Sequence, residues 1–460
     1  MIFKKTKILL FPVETIVREL DYRLILAVLC ARPDWQIILG NHVNLVRVVR
    51  NIKNAVILLK DTDDYLFDIY IKNNIRVIQL DEEGGIYGGV RQNWENILLE
   101  RLDVKKIRPD DYVCTWGPFQ QRYYQSFNPA CSDNIVVTGN PRFELGRECY
   151  RQLFNKEVNI LKERYGRIIL INTNFVSNNC AGGDVSLRYY NVENKDPEIR
   201  SYYLEQYVHD AKNQASYIDL INKVSNKFPA HTIVLRPHPS ENIHTYETFF
   251  KYIPRAVVTR EGTLNAWLLA SEVLIHNGCT TAVEGYQSGT PIVNYMPVSD
   301  ERFDIVLPNL LGITCRTAVE VLITLESIFD KGYVPKTTEQ NIAAVEEMIA
   351  NMNPQIDAFD NLKKIISKCQ DEAPDTEING LLDPIIFRKI LEYRFLPSFL
   401  WGAIKTIKNL LKTKTYKGST KFPDFNEGEI LEKIKIIEKI TGKKVKVHFH
   451  THRIFSITVK

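Results

Sequence analysis

The stretch VLRPHPSE, Val234 to Glu241, ends an apolar run on arginine, proline, histidine and proline. Two prolines stop strand pairing and restrict the backbone of His238 between them. A guanidinium (Arg236) and an imidazole (His238), followed by Pro239, at the carboxyl end of a strand suit an anionic ligand. Together they would hold a phosphate and neutralise charge on a departing nucleotide. The plainer reading is a strand end that happens to carry a histidine. That arginine and histidine stand together where strands end weighs against it.

A second stretch, LIHNGCTTAVEGYQSGTPIVNY, runs from a strand into His276, Asn277 and Gly278. Cys279, Thr280 and Thr281 then open a helix. Backbone N–H groups at a helix start, with two hydroxyls beside them, form an anion site. Glu284, one turn in, is placed to accept from ribose hydroxyls. The structural alternative is a capping box from Thr281 to Glu284, and the two readings are compatible.

The third stretch, QLDEEGGIYGG, sets Asp81, Glu82 and Glu83 directly after a strand. Neighbouring carboxylates raise one another's proton affinity, which suits a general base. Gly84, Gly85, Gly88 and Gly89 let backbone pass close to a ligand. An acidic helix cap with a glycine turn is the competing explanation. Three further places carry chemistry-bearing residues. Glu14 and Arg18 follow the first strand and either reach a cleft or form an ion-paired helix start. Asn172 and Asn174 end the strand RIILI. His448, His450 and His452 in HFHTHR alternate onto one strand face, but no fourth ligand or supporting carboxylate stands near them, so no metal site is expected. DTDD at 61–64 reads as a helix N-terminus.

These residues need rigid elements behind them. Apolar strands alternate with helical patterns over residues 1–145: KILLFP, WQIIL, AVILL, RVIQL, DYVCT and NIVVT. The rhythm restarts at RIILINTNF and continues through HTIVLRPHP, RAVVT, SEVLIHNG and PIVNY, with a long helix over about 197–227. Continuous apolar strands separated by helices predict parallel sheets covered on both faces. Ligands in such sheets sit at the strands' carboxyl ends. The expected fold class is α/β, with two doubly wound domains at 1–145 and 146–375 facing a cleft. Residues 376–460 are expected to be a C-terminal helical and small α/β extension, ending in a helix and a hairpin.

Composition narrows the class. The chain has 460 residues, 45% of them hydrophobic and 25% charged, enough for two or three cored domains. A net charge of +4 does not point to a nucleic-acid partner. Eight scattered cysteines with no CxxC pair predict reduced thiols and a cytoplasmic protein. No window has the length of a transmembrane helix. The segment FLPSFLWGAIKTIKNLLKTKTYKGSTK combines an apolar face with lysines. It reads either as a helix resting on anionic lipid at the inner face of the membrane or as one packed on a domain.

The order acidic–acidic–glycine, then His-Pro, then a hydroxyl pair is similar to bacterial sialyltransferases and polysialyltransferases. The chain also resembles the capsule Kdo transferases and the surface carbohydrate biosynthesis proteins, and more distantly the CDP-glycerol glycerophosphotransferases of teichoic acid synthesis. FPVETIVRELDYRLILA, GNPRFEL, LRPHPSE and HNGCTTAVEGYQSGTPIVNY carry the likeness, across roughly residues 8–300. It implies a GT-B fold of two Rossmann-like domains, a CMP-activated sugar donor and no cofactor or metal. It makes Glu82 or Glu83 the base and His238 the group that binds or protonates the leaving phosphate. Arg236, Pro239, His276, Asn277, Gly278, Thr280 and Thr281 would line the donor nucleotide, with Glu284 near the ribose. This chain departs from the pattern in having Thr-Thr as the hydroxyl pair and three carboxylates in a row.

The resulting expectation is a metal-independent glycosyltransferase. It would pass a nonulosonic acid or Kdo-type sugar from CMP to a glycan or lipid-linked glycan. A polyol-phosphate transferase using CDP-glycerol or CDP-ribitol is the nearest alternative, and a non-catalytic scaffold of a capsule assembly complex is the alternative of another kind.

Overall fold

The computed structural model describes residues 7–60, 64–82, 88–89, 94–95, 97–98, 101–183, 196–378 and 424–460. They fall into two compact units, one within the bounds 1–84, 99–142 and 355–460 and the other within 85–98 and 143–354.

The first unit is built on an eight-stranded sheet. From edge to edge its strands are Val445–Thr451, Ile454–Val459, Trp35–Asn41, Lys7–Val13, Val56–Leu59, Arg76–Leu80, Tyr112–Thr115 and Ile135–Val137. The six from Trp35–Asn41 onward pair in parallel. Their residues are buried almost without interruption, as expected of strands covered on both faces. On one face Leu10, Ile38, Ile57 and Val77 share a core with Leu45, Val48, Leu66 and Tyr70 of the helices His42–Val49 and Asp64–Lys72. Helix Ile16–Cys30 packs against helices Ala358–Glu372 and Glu427–Thr441. The strand order reverses between Lys7–Val13 and Val56–Leu59, so the residues just beyond these strands border a crevice.

The second unit carries a six-stranded, all-parallel sheet. Its order is Ala256–Val258, His231–Pro237, Arg167–Thr173, Val273–His276, Ile292–Tyr295 and Ile313–Cys315. Counted within the unit this is the order 3-2-1-4-5-6 of a doubly wound nucleotide-binding sheet. Alternate residues divide between the faces. Ile169, Ile171, Ile233, Leu235, Val273 and Ile275 share a core with Tyr217, Leu220, Ile221 and Val224 of helix Pro197–Lys227. On the other face, Gly285 of helix Thr281–Ser288 lies so close to the sheet that a Cβ there would stand 3.2 Å from Leu274. The reversal falls between Arg167–Thr173 and Val273–His276.

Both expected parallel sheets are present, and every strand named from the sequence is a strand. The expected boundaries are corrected in two places. Helix Ala358–Glu372, expected within the 146–375 domain, belongs to the first unit, where Gln370 donates to the Cys30 carbonyl at 3.1 Å and Arg76 pairs with Glu372 at 2.7 Å. The described part of the expected 376–460 extension is no separate module. Strand Ile454–Val459 adds antiparallel to Trp35–Asn41, and Val445–Thr451 pairs with it in turn. Lys433 of the last helix forms a buried ion pair with Asp21 at 2.6 Å. The apolar, lysine-bearing segment around 399–421 lies outside the described residues. Among the described residues, no helix is long and apolar enough to cross a membrane.

Candidate functional site

In the second unit, strand Arg167–Thr173 is flanked on both sides in register. Asn172 pairs with Arg236 on one neighbour and with His276 on the other. The residues following these three strands, Asn174, His238 and Asn277, therefore border the crevice at the reversal. His238 and Asn277 stand roughly 10 Å apart, two strand spacings.

His238 is held at its backbone and at its ring. Its N–H donates to the Thr173 carbonyl at 3.2 Å and to Glu241 Oε1 at 2.9 Å. Its Nδ1 accepts from the Ser240 N–H at 3.2 Å, which places the proton of a neutral ring on Nε2 as a donor. The side chain is half-buried and Pro239 after it is exposed. Glu241 was not singled out in the sequence. It is completely buried, and its carboxylate accepts from Thr173 Oγ1 at 2.8 Å and Tyr246 Oη at 2.5 Å as well as from His238. Burial pushes its carboxyl above the usual range, against these hydrogen bonds. Arg260, equally unanticipated, donates to the carbonyls of Pro237, His238 and Glu241. Neither residue has a sequence signature, because the atoms each one bonds are brought near only by folding.

Across the crevice, the turn from strand to helix is tight. Gly278 sits at φ +60°, and a Cβ there would stand 3.0 Å from Ile305 Cβ. Only glycine fits both the conformation and the contact. The Gly278 N–H donates to Asn309 Oδ1 at 2.9 Å. Thr280 is the residue before helix Thr281–Ser288 and makes no side-chain cap; Thr281 is the first helical residue, so the alternative of a capping box from Thr281 to Glu284 is not realised. The Thr281 hydroxyl is buried beside the Cys279 thiol. Asn172 Oδ1 is likewise buried, and unpartnered among the described residues. Glu284 is buried one turn inside the helix. Gly88 and Gly89 belong to this unit too: Gly88 bridges to Ile305, and the Gly89 N–H donates to the Asp304 carbonyl at 3.1 Å.

Two residues expected at the donor nucleotide have their side chains engaged inside the second unit. Arg236 lies over the Trp267 ring at 5.3 Å and donates to the carbonyls of Arg260, Glu261 and Gly262, so its guanidinium secures a loop. Burial lowers its proton affinity to a pKa of about 10. His276 is completely buried and accepts from the Cys279 N–H at Nδ1. Burial depresses its pKa to about 3, so it is neutral and shapes the turn.

The acidic motif requires a larger correction. Glu82 is 3% exposed, inside the first unit. Its Oε1 accepts from Tyr22 Oη and, at 3.1 Å, from Arg23 Nη2. Arg23 also faces Glu19 at 3.5 Å. Glu19 in turn accepts from the backbone N–H groups of Glu14 and Thr15. Burial raises the Glu19 pKa to about 7; Arg23 opposes that rise and Glu82 adds to it. Glu82 thus compensates a buried guanidinium and is not presented to an acceptor. Asp81 is held by Arg101 through two bonds of 2.7 and 2.9 Å, while Trp116 and Asn140 donate to its carbonyl. Glu83, Gly84 and Gly85 lie outside the described residues.

At the first unit's crevice, Glu14 forms an ion pair with Lys60, one residue beyond the strand Val56–Leu59. Arg18 is half-buried in the first turn of the following helix. In the C-terminal hairpin, the rings of His448 and His450 are 4.7 Å apart and His450 Nε2 bonds Ser456 Oγ at 3.0 Å. Among the described residues, no group of side chains has the make-up of a metal site.

No protein-family model and no curated protein matches the chain. Among solved structures it is similar to the wall teichoic acid polymerase TagF, at 14% identity over 69% of this chain and 72% of that one, with a TM-score of 0.43. It is also similar to the UDP-GlcNAc 2-epimerase from Methanocaldococcus jannaschii, at 12% identity over 79% and 99%, with a TM-score of 0.48. The UDP-GlcNAc 2-epimerase from Neisseria meningitidis, bound to UDP-GlcNAc, is similar at 10% identity over 80% and 100%, with a TM-score of 0.43.

Proposed function

We propose that the chain is a GT-B transferase of surface-glycan synthesis that takes its donor activated on a cytidine nucleotide. The preferred donor is a CMP-linked nonulosonic acid or Kdo-type sugar, and the acceptor is a glycan or lipid-linked glycan. The observation that carries this reading is the second unit's crevice. There His238 offers an Nε2–H from one strand end, while a helix start with Thr280 and Thr281 occupies the other. A helix N-terminus, hydroxyls and an imidazole donor are the complement of a phosphate that gains charge as its bond to the sugar breaks. In this reaction the acceptor oxygen bonds to the anomeric carbon and the carbon–oxygen bond to phosphate breaks. His238 donates to the departing phosphate oxygen, and Thr280 and Thr281 hold the nucleotide. A base takes the proton of the acceptor hydroxyl; Asp81 and Glu82 are both held by arginines in the first unit. The reading requires no resident metal or cofactor. It places the protein in the cytoplasm, with the basic segment around 399–421 in contact with anionic lipid.

The same crevice supports a second reading, because it faces the nucleotide phosphate and not the transferred group. A polyol phosphate passed from a CDP-activated donor would use these residues while the acceptor attacked phosphorus. Thermal unfolding with CMP, CDP, UDP and GDP tests the donor class. A nucleotide at 100 times its Kd stabilises by about 2.7 kcal/mol, or roughly 5–11 °C for units of this size. Selective stabilisation by UDP or GDP would refute the cytidine assignment. Product analysis then separates the two readings, since a phosphodiester in the product excludes sugar transfer. An isomer formed without acceptor would show an epimerase, and unchanged polysaccharide output from His238→Ala would show a scaffold.

A further inference from the structure

The turn that carries His238 is built around a carboxylate that the reaction itself does not use. Glu241 is completely buried and three residues beyond the imidazole, and its Oε1 accepts from the His238 N–H and from Thr173 Oγ1. Its Oε2 accepts from Tyr246 Oη. Its own N–H donates to the His238 carbonyl at 2.9 Å, so side chain and backbone of one residue close both ends of the turn. Arg260 Nη2 ties the His238 and Glu241 carbonyls together from outside. The loop after strand Arg167–Thr173 adds a clamp, with the Ala181 N–H on the Ser240 carbonyl and the Asn242 N–H on the Asn179 carbonyl. Inside this closed turn the Ser240 N–H reaches His238 Nδ1.

We propose that Glu241 is the positioning residue of the site: its carboxylate closes the His238–Glu241 turn and so presents the imidazole as an Nε2–H donor. The physical reason is geometric. An imidazole nitrogen that accepts from a backbone N–H cannot carry the ring proton, so the tautomer follows from the closure of the turn. A carboxylate suits the task because it accepts on both oxygens, one toward the turn and Thr173 and the other toward the anchored Tyr246. That the donor faces a nucleotide phosphate rests on the function proposed above; the positioning itself does not.

The test uses the full chain labelled with ¹⁵N-histidine, its His238 signals assigned with His238→Ala, and CMP as the binding probe. Wild type should show one neutral tautomer at His238, protonated at Nε2. Glu241→Gln, whose carbonyl oxygen still accepts from His238 and Thr173, should reproduce it. Glu241→Leu should move both ring nitrogens toward tautomer-averaged positions. CMP affinity should fall about tenfold in Glu241→Leu and in His238→Ala, and no further in the double variant, as expected of coupled residues. A purely structural role for Glu241 would leave the tautomer unchanged and make the losses multiply. If Glu241→Leu does not fold, the double variant Thr173→Val, Tyr246→Phe withdraws two donors from the same carboxylate and should shift the His238 signals in the same sense. An unchanged His238 spectrum in the folded Leu variant, or failing that in the double variant, overturns the proposal. Absence of CMP binding to wild type would instead defeat the functional reading, with the tautomer result still deciding the role of Glu241.

Discussion

Replacing Glu82 separates a structural carboxylate from a general base. The Arg23 guanidinium is 2% exposed and has two anionic neighbours, Glu82 at 3.1 Å and Glu19 at 3.5 Å. Removing one partner of a buried ion pair costs about 3–5 kcal/mol, because the remaining charge stays desolvated. Glu19 retains part of the compensation, so Glu82→Ala should fall at the low end, about 3 kcal/mol. For a unit of this size that is roughly 6–12 °C in Tm. Glu82→Gln keeps an acceptor for Tyr22 and Arg23 and should lose about half as much. The same variants change a pH dependence. Glu19, raised to about 7, binds its proton more tightly in the folded than in the unfolded chain. Stability therefore declines as pH rises from about 4.5 through 7. Without the Glu82 charge this decline should flatten, because one of the causes raising the Glu19 pKa has gone. The assay is calorimetric unfolding of both variants from pH 5 to 8 beside product formation at 25 °C. Glu82→Gln with wild-type melting and no product would refute the structural assignment and restore Glu82 as the base.

Further outcomes follow from other parts of the fold. His209 is buried between Asp304 at 3.3 Å and Asp210 at 3.6 Å; burial opposes its charge, but the two carboxylates prevail and raise its pKa to about 9. Its contribution to stability should be complete below about pH 6.5 and lost as pH rises through 9, so denaturant titrations of wild type and His209→Gln should converge above pH 9. Gly278→Ala should cost about 1–2 kcal/mol for the left-handed backbone alone, with a further loss of CMP affinity as Ile305 is displaced, measured by calorimetric titration. Lys433→Met should destabilise the first unit, because Asp21 is left buried without its cation, and Asp21→Asn in the same chain should recover part of the loss. Deleting residues 443–460 should expose the edge of strand Trp35–Asn41 and reduce the folded yield of the whole chain, read by size-exclusion chromatography.

Much of the fold was legible in the chain order of its residues. Continuous apolar runs such as AVILL and RIILI announce strands covered on both faces, and the helical stretches between them force parallel crossovers. The strand ends that border the second unit's crevice were legible for a related reason. VLRPHPSE and LIHNGCTT each place a strand and its candidate site residues within a few positions, and parallel topology brings the carboxyl ends together. Local spacing and a general rule of topology were enough there.

Tertiary structure decided what depends on partners distant in sequence. Whether Glu82 is a base or a counter-ion turns on Tyr22 and Arg23, sixty positions away on a helix that no motif connects to it. Arg236 stands in a phosphate-binding context by sequence, yet it is directed to carbonyls 24 to 26 residues later. The last strands read as an appendage because nothing in their own pattern names the edge they join, which lies more than 400 residues earlier. A side chain's type and its neighbours along the chain define what it can donate, accept or ionise. Burial and the opposing charge define which of these it does, and both come from parts of the chain that meet only on folding.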